Sequence, residues 1–300
     1  MGGQAISTRC YPLFLRSPCE YACVRAQSQN DSQRYASRMD NRSVDSPFSE
    51  AADFYKFRAP YAPQALPYVR DALQLDNTSR ALDLGCGPGT IAIPLSRLVG
   101  HVLAIDPSEA MLNEGQMCGA KASRHNIEWL RARAEDVSEA LGTFNIVTMG
   151  QSFHWMDRDT VLCHLAPMIA SDGALALISP GRRRPQESWE TLADELVVRY
   201  LGHRPRHHQM NPEPEDEPAL LRSGTFSRFT VREFSVGFER DVQSIVGCIY
   251  SISTSPRSAF GDRTALFERD LTDALLRANP SGVFKERLET EVLIARKEAA

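Results

Sequence analysis

The sequence predicts an α/β fold, a doubly wound, mostly parallel, seven-stranded sheet of the Rossmann-like kind with helices on both faces. Three observations predict it. Arg80-Ala-Leu-Asp-Leu-Gly-Cys-Gly-Pro-Gly-Thr90 is a short apolar strand that ends in three alternating glycines and passes into helical spacing at Ile91, Leu95, Leu98 and Val99. His101-Val-Leu-Ala-Ile105 is a second apolar strand, closed by Asp106 roughly 20 residues beyond Gly85. Strand and helix then keep alternating as far as Ile178.

Residues 1–45 lack periodicity and offer only the brief apolar patch Tyr11–Leu15, too poorly flanked for a secretory signal. Scattered arginines suggest an organellar transit peptide, but Glu20, Asp31 and Asp40 count against it. The segment is expected to be disordered or a non-native extension, with Met39 as an alternative start. At Ser46-Pro47 a helix start opens the domain, expected over 46–297; Tyr55-Lys-Phe-Arg58-Ala-Pro-Tyr61 follows, and then a helix over 62–75.

Gly85, Gly87 and Gly89 supply positive-φ or bare positions where backbone turns beneath a ligand. Pro94 removes one hydrogen bond from the helix that follows and predicts a bend near its first turn. Pro107 and Ser108 open the next helix, and Asn126–Leu130 is a third strand. Phe144–Met149 is the fourth, with Gly150-Gln151-Ser-Phe-His154-Trp155-Met-Asp157 hanging from the carboxyl edge that faces the ligand in such sheets. Asp157 starts a helix through Met168, and Ser171-Asp172-Gly173 turns into the strand Ala174–Ile178.

The rhythm breaks over 180–225. This stretch holds the basic run Arg182–Arg184, a helix over Trp189–Leu201, and a loop from His203 to Pro218 whose acidic part, Glu213–Glu217, is expected to be exposed. The arginines read as a solvated loop or as a site for an anionic acceptor. His203, His207 and His208 lack the helical spacing of a zinc site, and no metal is expected. Phe229–Val236 alternates as a sixth strand, 242–250 and 263–276 form helices, and Glu291–Arg296 closes the sheet.

Three hundred residues with 42% hydrophobic content suit one large domain with an appended part. A net charge of −4 does not advertise a nucleic-acid-coating surface. No apolar run approaches the roughly 20 residues of a membrane span, so a soluble chain is expected. The seven cysteines, at 10, 19, 23, 86, 118, 163 and 248, show no pair at the two-residue spacing of zinc ribbons or redox motifs and read as free thiols of a reducing, cytoplasmic setting. Cys86, inside the glycine loop, reads as a small packed filler rather than a nucleophile.

Charge narrows the ligand. A pyrophosphate would be repelled by a carboxylate two residues before the first glycine, whereas a cationic ligand would be attracted to it. Thr90 also stands where a dinucleotide fingerprint places its third small residue. The run Asp83-Leu-Gly-Cys-Gly-Pro-Gly89 resembles the first motif of the class I S-adenosylmethionine-dependent methyltransferases of the type 11 kind. Gln151-Ser-Phe-His-Trp155 is similar to the fourth motif of a subgroup that includes the trans-aconitate methyltransferases.

The resemblance spans about 46–297. It implies S-adenosyl-L-methionine as cofactor, a small-molecule methyl acceptor, and an inserted α-helical substrate cover at 180–225. It implies, too, that Asp83 orients the cofactor's amino-acid end, with Gly85 and Gly87 beneath it. Tyr55 and Arg58, in a Tyr-x-x-Arg-x-x-Tyr pattern, reach the methionine carboxylate, and Asp106 takes the ribose hydroxyls. Ala134 and Glu135 hold the adenine; Asp136 caps the following helix if it is not part of that site. Gln151 lies at the cofactor's edge of the fourth strand.

Methyl transfer from a sulfonium is an in-line displacement that depends mainly on positioning. A hydroxyl acceptor would use a base, for which His154 is the candidate; a carboxylate acceptor would only be oriented by it. Phe153 and Trp155 would wall the pocket or face the sulfonium. The absence of an Asn-Pro-Pro-Tyr type sequence argues against planar amino groups as acceptors. Methylation of a small molecule at oxygen is the leading expectation. The alternatives are a protein or RNA methyltransferase, or a cofactor-binding protein without turnover.

Overall fold

A computed structural model describes residues 7–10, 50–180, 188–203 and 216–297. Eight strands form one sheet: β1 (Ser7–Cys10), β2 (Arg80–Leu84), β3 (His101–Asp106), β4 (Ile127–Arg131), β5 (Phe144–Gly150), β6 (Ile169–Pro180), β7 (Phe226–Asp241) and β8 (Val283–Lys297). Their order is β1-β7-β8-β6-β5-β2-β3-β4. From β4 to β6 the pairing is parallel, and β8, β7 and β1 are added antiparallel. The seven expected strands are present. Ser7–Cys10 adds an edge strand within a segment expected to contain no element. The expected helix start at Ser46-Pro47 and the rest of 1–45 lie outside the described residues.

The helices are α1 (Ala65–Leu73), α2 (Ala92–Leu95), α3 (Glu109–Lys121), α4 (Arg158–Met168), α5 (Ser188–Leu201), α6 (Asp216–Arg222), α7 (Val242–Tyr250) and α8 (Thr264–Ala278). Two are started by side chains foreseen in the sequence: Ser108 accepts from the Met111 amide at 3.4 Å, and Asp157 from the Thr160 amide at 3.2 Å. Pro94 does more than bend its helix. Having no N–H to give to Thr90, it sits in an α2 only one turn long, whose Ile93, Leu95 and Ser96 amides keep the i−4 bonds.

Alternate residues of the central strands feed two cores on opposite faces. Leu82, Leu84, Leu103 and Val147 pack with α4 and α6, while Ala81, Val102, Ile146 and Ala174 pack with α1 and α2. A third core lies beyond the sheet, where Trp189 and Val197 of α5 meet Ile249 of α7, Phe260, and Phe267 and Leu271 of α8.

Of the stretch 180–225 expected to form the cover, α5 contributes Trp189 and Val197 to this third core. Most of the rest of that core comes from residues between β7 and β8, while α6 instead buries Ala219 and Leu220 against the sheet. The acidic stretch differs too: Asp216 and Glu217 form the first turn of α6, where the helix dipole favours them, and Arg158 pairs with Asp216 at 2.8 Å. Arg182–Arg184, His207, His208 and Glu213 lie outside the described residues. His203 is exposed, with its ring nitrogens 3.2 Å from the Leu201 carbonyl and 2.8 Å from the Thr254 carbonyl. Among the described residues no helix is long and apolar enough to cross a membrane.

Candidate active site

The chain leaves β2 for β3 and β4 on one side and returns through β5 and β6 on the other, so the carboxyl ends of β2 and β5 border the crevice where such sheets bind ligands. Gly85, Gly87 and Gly89 there have φ of 64°, 53° and 82°. At Gly85 a Cβ would overlap the Cβ of Ser152, whereas at Gly87 it would meet only the Tyr55 ring, at 3.9 Å. The loop is fixed from below: Cys86 N–H donates to the Ile105 carbonyl at 3.0 Å and Gly87 N–H to Asp106 Oδ2 at 2.8 Å.

Asp83 is buried at the end of β2, where its register partner is Thr148. Its Oδ1 accepts from the Thr148 hydroxyl at 2.8 Å, and its Oδ2 has no hydrogen-bond partner among the described residues. Burial raises its pKa to about 7, with Thr148 and the Ala92 amide opposing the shift and Asp106 adding to it. A buried carboxylate with an open lone pair beside a bare loop is the complement of a cationic group.

Asp83 lines a cavity of about 260 Å³ together with Gly85 and Gln151. Tyr55, Arg58 and Tyr61 close one side of it; Trp189 and Glu190 of α5, Ser251 just past α7, and Glu289 and Thr290 of β8 close another. The Arg58 guanidinium lies 4.0 Å from the centre of the Tyr55 ring. Its Nε donates to Ser251 Oγ at 3.2 Å and a terminal nitrogen donates to the Ser251 carbonyl. Burial, and then Tyr55 and Asp83, hold the Tyr61 hydroxyl well above the usual phenol range, so it stays a neutral donor. Gly150 makes room for that hydroxyl, since a Cβ there would stand 2.9 Å from it.

Five of the cofactor-binding residues expected from the resemblance thus meet at one cavity: Tyr55, Arg58, Asp83, Gly85 and Gln151. Gly87, Asp106, Ala134, Glu135 and His154 do not line it. Asp106 spends one oxygen on Gly87 and the other on the Ser108 amide at 2.8 Å, and burial raises its carboxyl. Ala134 is buried in a 3-10 turn; Glu135 accepts from the Asp157 amide at 2.9 Å and faces Arg133 at 3.3 Å. Asp136 ends that same turn, and Ser138 stands at the start of the next.

His154 sits on the turn Phe153–Trp155, its ring 5.4 Å from that of Trp155. Trp155 is 52% exposed and Phe153 is buried in the sheet core, so neither walls the cavity. The physical reason lies one step earlier. Gln151 has φ of 55° and the Ser152 hydroxyl donates to the Leu84 carbonyl at 2.7 Å, which keeps Gln151 at the cavity and folds 153–155 back.

Cys86 is buried, and burial raises its thiol well above the usual range, as suits a filler. The sequence reading missed Trp189, Glu190, Ser251, Glu289 and Thr290. Their helices and strand were legible, but nothing local marks which face meets the cavity.

Residues 81–173 match the family model described as a methyltransferase domain. With the carboxylate and bare loop it spans, this defines the chain as an S-adenosylmethionine-dependent methyltransferase. Among curated proteins it is similar to the ubiquinone biosynthesis O-methyltransferases of Rhizobium johnstonii and Hahella chejuensis. The first is 28% identical over 208 residues, 63% of this chain and 83% of the relative. The second is 26% identical over 199 residues, 62% and 82% respectively. The fold is similar to that of a solved protein of Anaeromyxobacter dehalogenans described as a type II methyltransferase. The TM-score is 0.52 at 20% identity, over 80% of this chain and 98% of that one.

Proposed function

We propose that the protein methylates a small molecule at oxygen. The observation that carries this is the cavity beneath the cover. At about 260 Å³ it lies at the small end of ligand pockets, and Arg58 and Asp83 line it together with the apolar Trp189, Ile252 and Leu288. A folded protein or RNA would need an open face there. The name of the similar relatives, O-methyltransferases, supports oxygen. The Gln151–Trp155 resemblance to the trans-aconitate-type subgroup supports oxygen as well, through a carboxylate.

The residues present fit the cofactor, because the unsatisfied Oδ2 of Asp83 and the bare Gly87 offer what a cationic nucleoside needs. When bound, S-adenosylmethionine supplies an electrophilic methyl carbon on a sulfonium. Asp83 holds the ammonium, directly or through water, and Arg58 with Tyr55 holds the carboxylate. The planar guanidinium fork suits Arg58 to a carboxylate. Asp106, which retains lone pairs, takes the ribose hydroxyls, and Ala134 and Glu135 border the adenine. The neutral Tyr61 hydroxyl and Gln151 donate towards the acceptor and keep bulk water from it.

His154 stands off the cavity wall, so replacing it with Ala is expected to lower kcat by less than tenfold rather than by the roughly 10²–10⁴ typical of a general base. A larger loss, confined to hydroxyl acceptors and absent with carboxylates, would make His154 the base. The acceptor class is read by incubating the protein with S-adenosylmethionine and small hydroxy and carboxy compounds, peptides and RNA. Mass spectrometry then scores the gain of one methylene. Gain on peptide or RNA alone would overturn the proposal, and tight cofactor binding with no gain on any class would leave a binding protein.

A further inference from the structure

We propose that Arg240 is a positioning residue for the cofactor's amino-acid end, fixing the segment that carries Tyr55 and Arg58 to the cover so that both are assembled together. This rests on the reading above that Arg58 holds the methionine carboxylate.

Arg240 lies near the end of β7 and is 1% exposed. A guanidinium cannot shed its charge at neutral pH, so burial requires partners. Its Nε faces Glu286 Oε1 of β8 at 2.5 Å, and a terminal nitrogen donates to the Phe57 carbonyl at 2.5 Å. The plane also lies over the rings of Phe238 and Trp189, and the Trp189 indole N–H donates to the same Glu286 oxygen at 2.9 Å. One guanidinium therefore joins β7, β8, the start of α5 and the turn Ala52–Phe57.

Apolar side chains would fill such a place with equal or greater stability, so stability alone does not account for a buried ion pair. What an apolar residue could not do is hold a backbone carbonyl. The carbonyl chosen belongs to Phe57, the residue before Arg58, and Arg58 itself reaches Ser251 at the end of α7. The Phe57 ring closes the third side: it lies against Gly247 of α7, where a Cβ would overlap it. Released from Arg240, the Phe57 carbonyl would lose its tie to β7, and the Arg58 donors would be aimed less narrowly.

The test compares two ligands by calorimetry. S-adenosylhomocysteine carries the amino-acid end and 5′-methylthioadenosine lacks it. Arg240→Lys keeps a charge for Glu286, but one ammonium cannot also reach Phe57 in the fixed geometry of a fork. Arg240→Met removes both contacts. Both variants are expected to lose about ten- to a hundredfold in affinity for S-adenosylhomocysteine, as for loss of a charge-assisted contact, and to bind methylthioadenosine within about twofold of the parent.

Unchanged binding of both ligands, or equal loss of both by the folded Lys variant, would overturn the proposal. Arg58→Met run alongside separates the two readings. If it loses S-adenosylhomocysteine selectively while the Arg240 variants do not, only the positioning role fails. If it treats both ligands as the parent does, the carboxylate reading fails, and the positioning role fails with it.

Discussion

Asp83→Asn is expected to remove most cofactor binding and, above neutral pH, to raise the thermal stability of the free protein. Both effects follow from one buried carboxylate. Its pKa is raised by burial from 3.8 to about 7, so the folded chain binds a proton there that the unfolded chain has already lost. The stability this proton carries is fully present below the unfolded pKa and is lost as pH rises through the folded one. At one pKa unit per 1.36 kcal/mol, the free protein forfeits up to about 4 kcal/mol between roughly pH 4 and pH 7. Asparagine can still bond to Thr148 and carries no charge to strand.

A cationic ammonium prefers the ionised form, so binding of S-adenosylhomocysteine expels the proton. Affinity should therefore fall about tenfold for each pH unit below 7 in the parent protein. In the Asn variant it should be weaker by about a hundredfold at neutral pH and flat across that range. Calorimetry at several pH values, beside melting curves of the free proteins, reads both arms. A variant that keeps the parent's pH slope would show that Asp83 is not the group that meets the cofactor.

The sheet and this end of the site were legible because their determinants are local. Asp83, Gly85 and Gly87 sit within one strand and turn, and charge and bareness can be read from neighbours in sequence. Asp106 was placed correctly at a strand end, yet the sequence gives no sign that it braces Gly87 before any ribose arrives. The long-range partners within the cover were not legible, although its helices were. Arg58 finds Ser251 across 193 residues, and Arg240 finds Phe57 across 183. Each partner is an ordinary residue on an ordinary helix or turn, and only the docking of α5, α7 and α8 into one core selects it. His154 and Trp155 stand off the cavity wall for a related reason: they follow the right strand, but Gln151 before them has a positive φ.

The two outer glycines of Gly85-Cys-Gly87 should separate folding from binding when each is changed to Ala. Gly85→Ala adds a Cβ at φ of 64° that overlaps Ser152 Cβ, an atom one bond from backbone that cannot swing away. Ser152 also donates to the Leu84 carbonyl at 2.7 Å, so displacing it unties the ends of β2 and β5. The expected cost is about 2–4 kcal/mol of stability in urea unfolding. Ser152→Gly in the same chain removes the overlap but restores neither the hydrogen bond nor the relaxed backbone, so recovery should be partial.

Gly87→Ala has φ of 53° and meets only Tyr55, at an ordinary 3.9 Å. It should cost about 1–2 kcal/mol, from backbone strain alone. Yet its methyl would stand where the cofactor is expected to pass, and affinity for S-adenosylhomocysteine should fall by at least about tenfold. Undiminished binding by Gly87→Ala would mean that no ligand passes over that residue, and the bareness of the loop would then serve the fold alone.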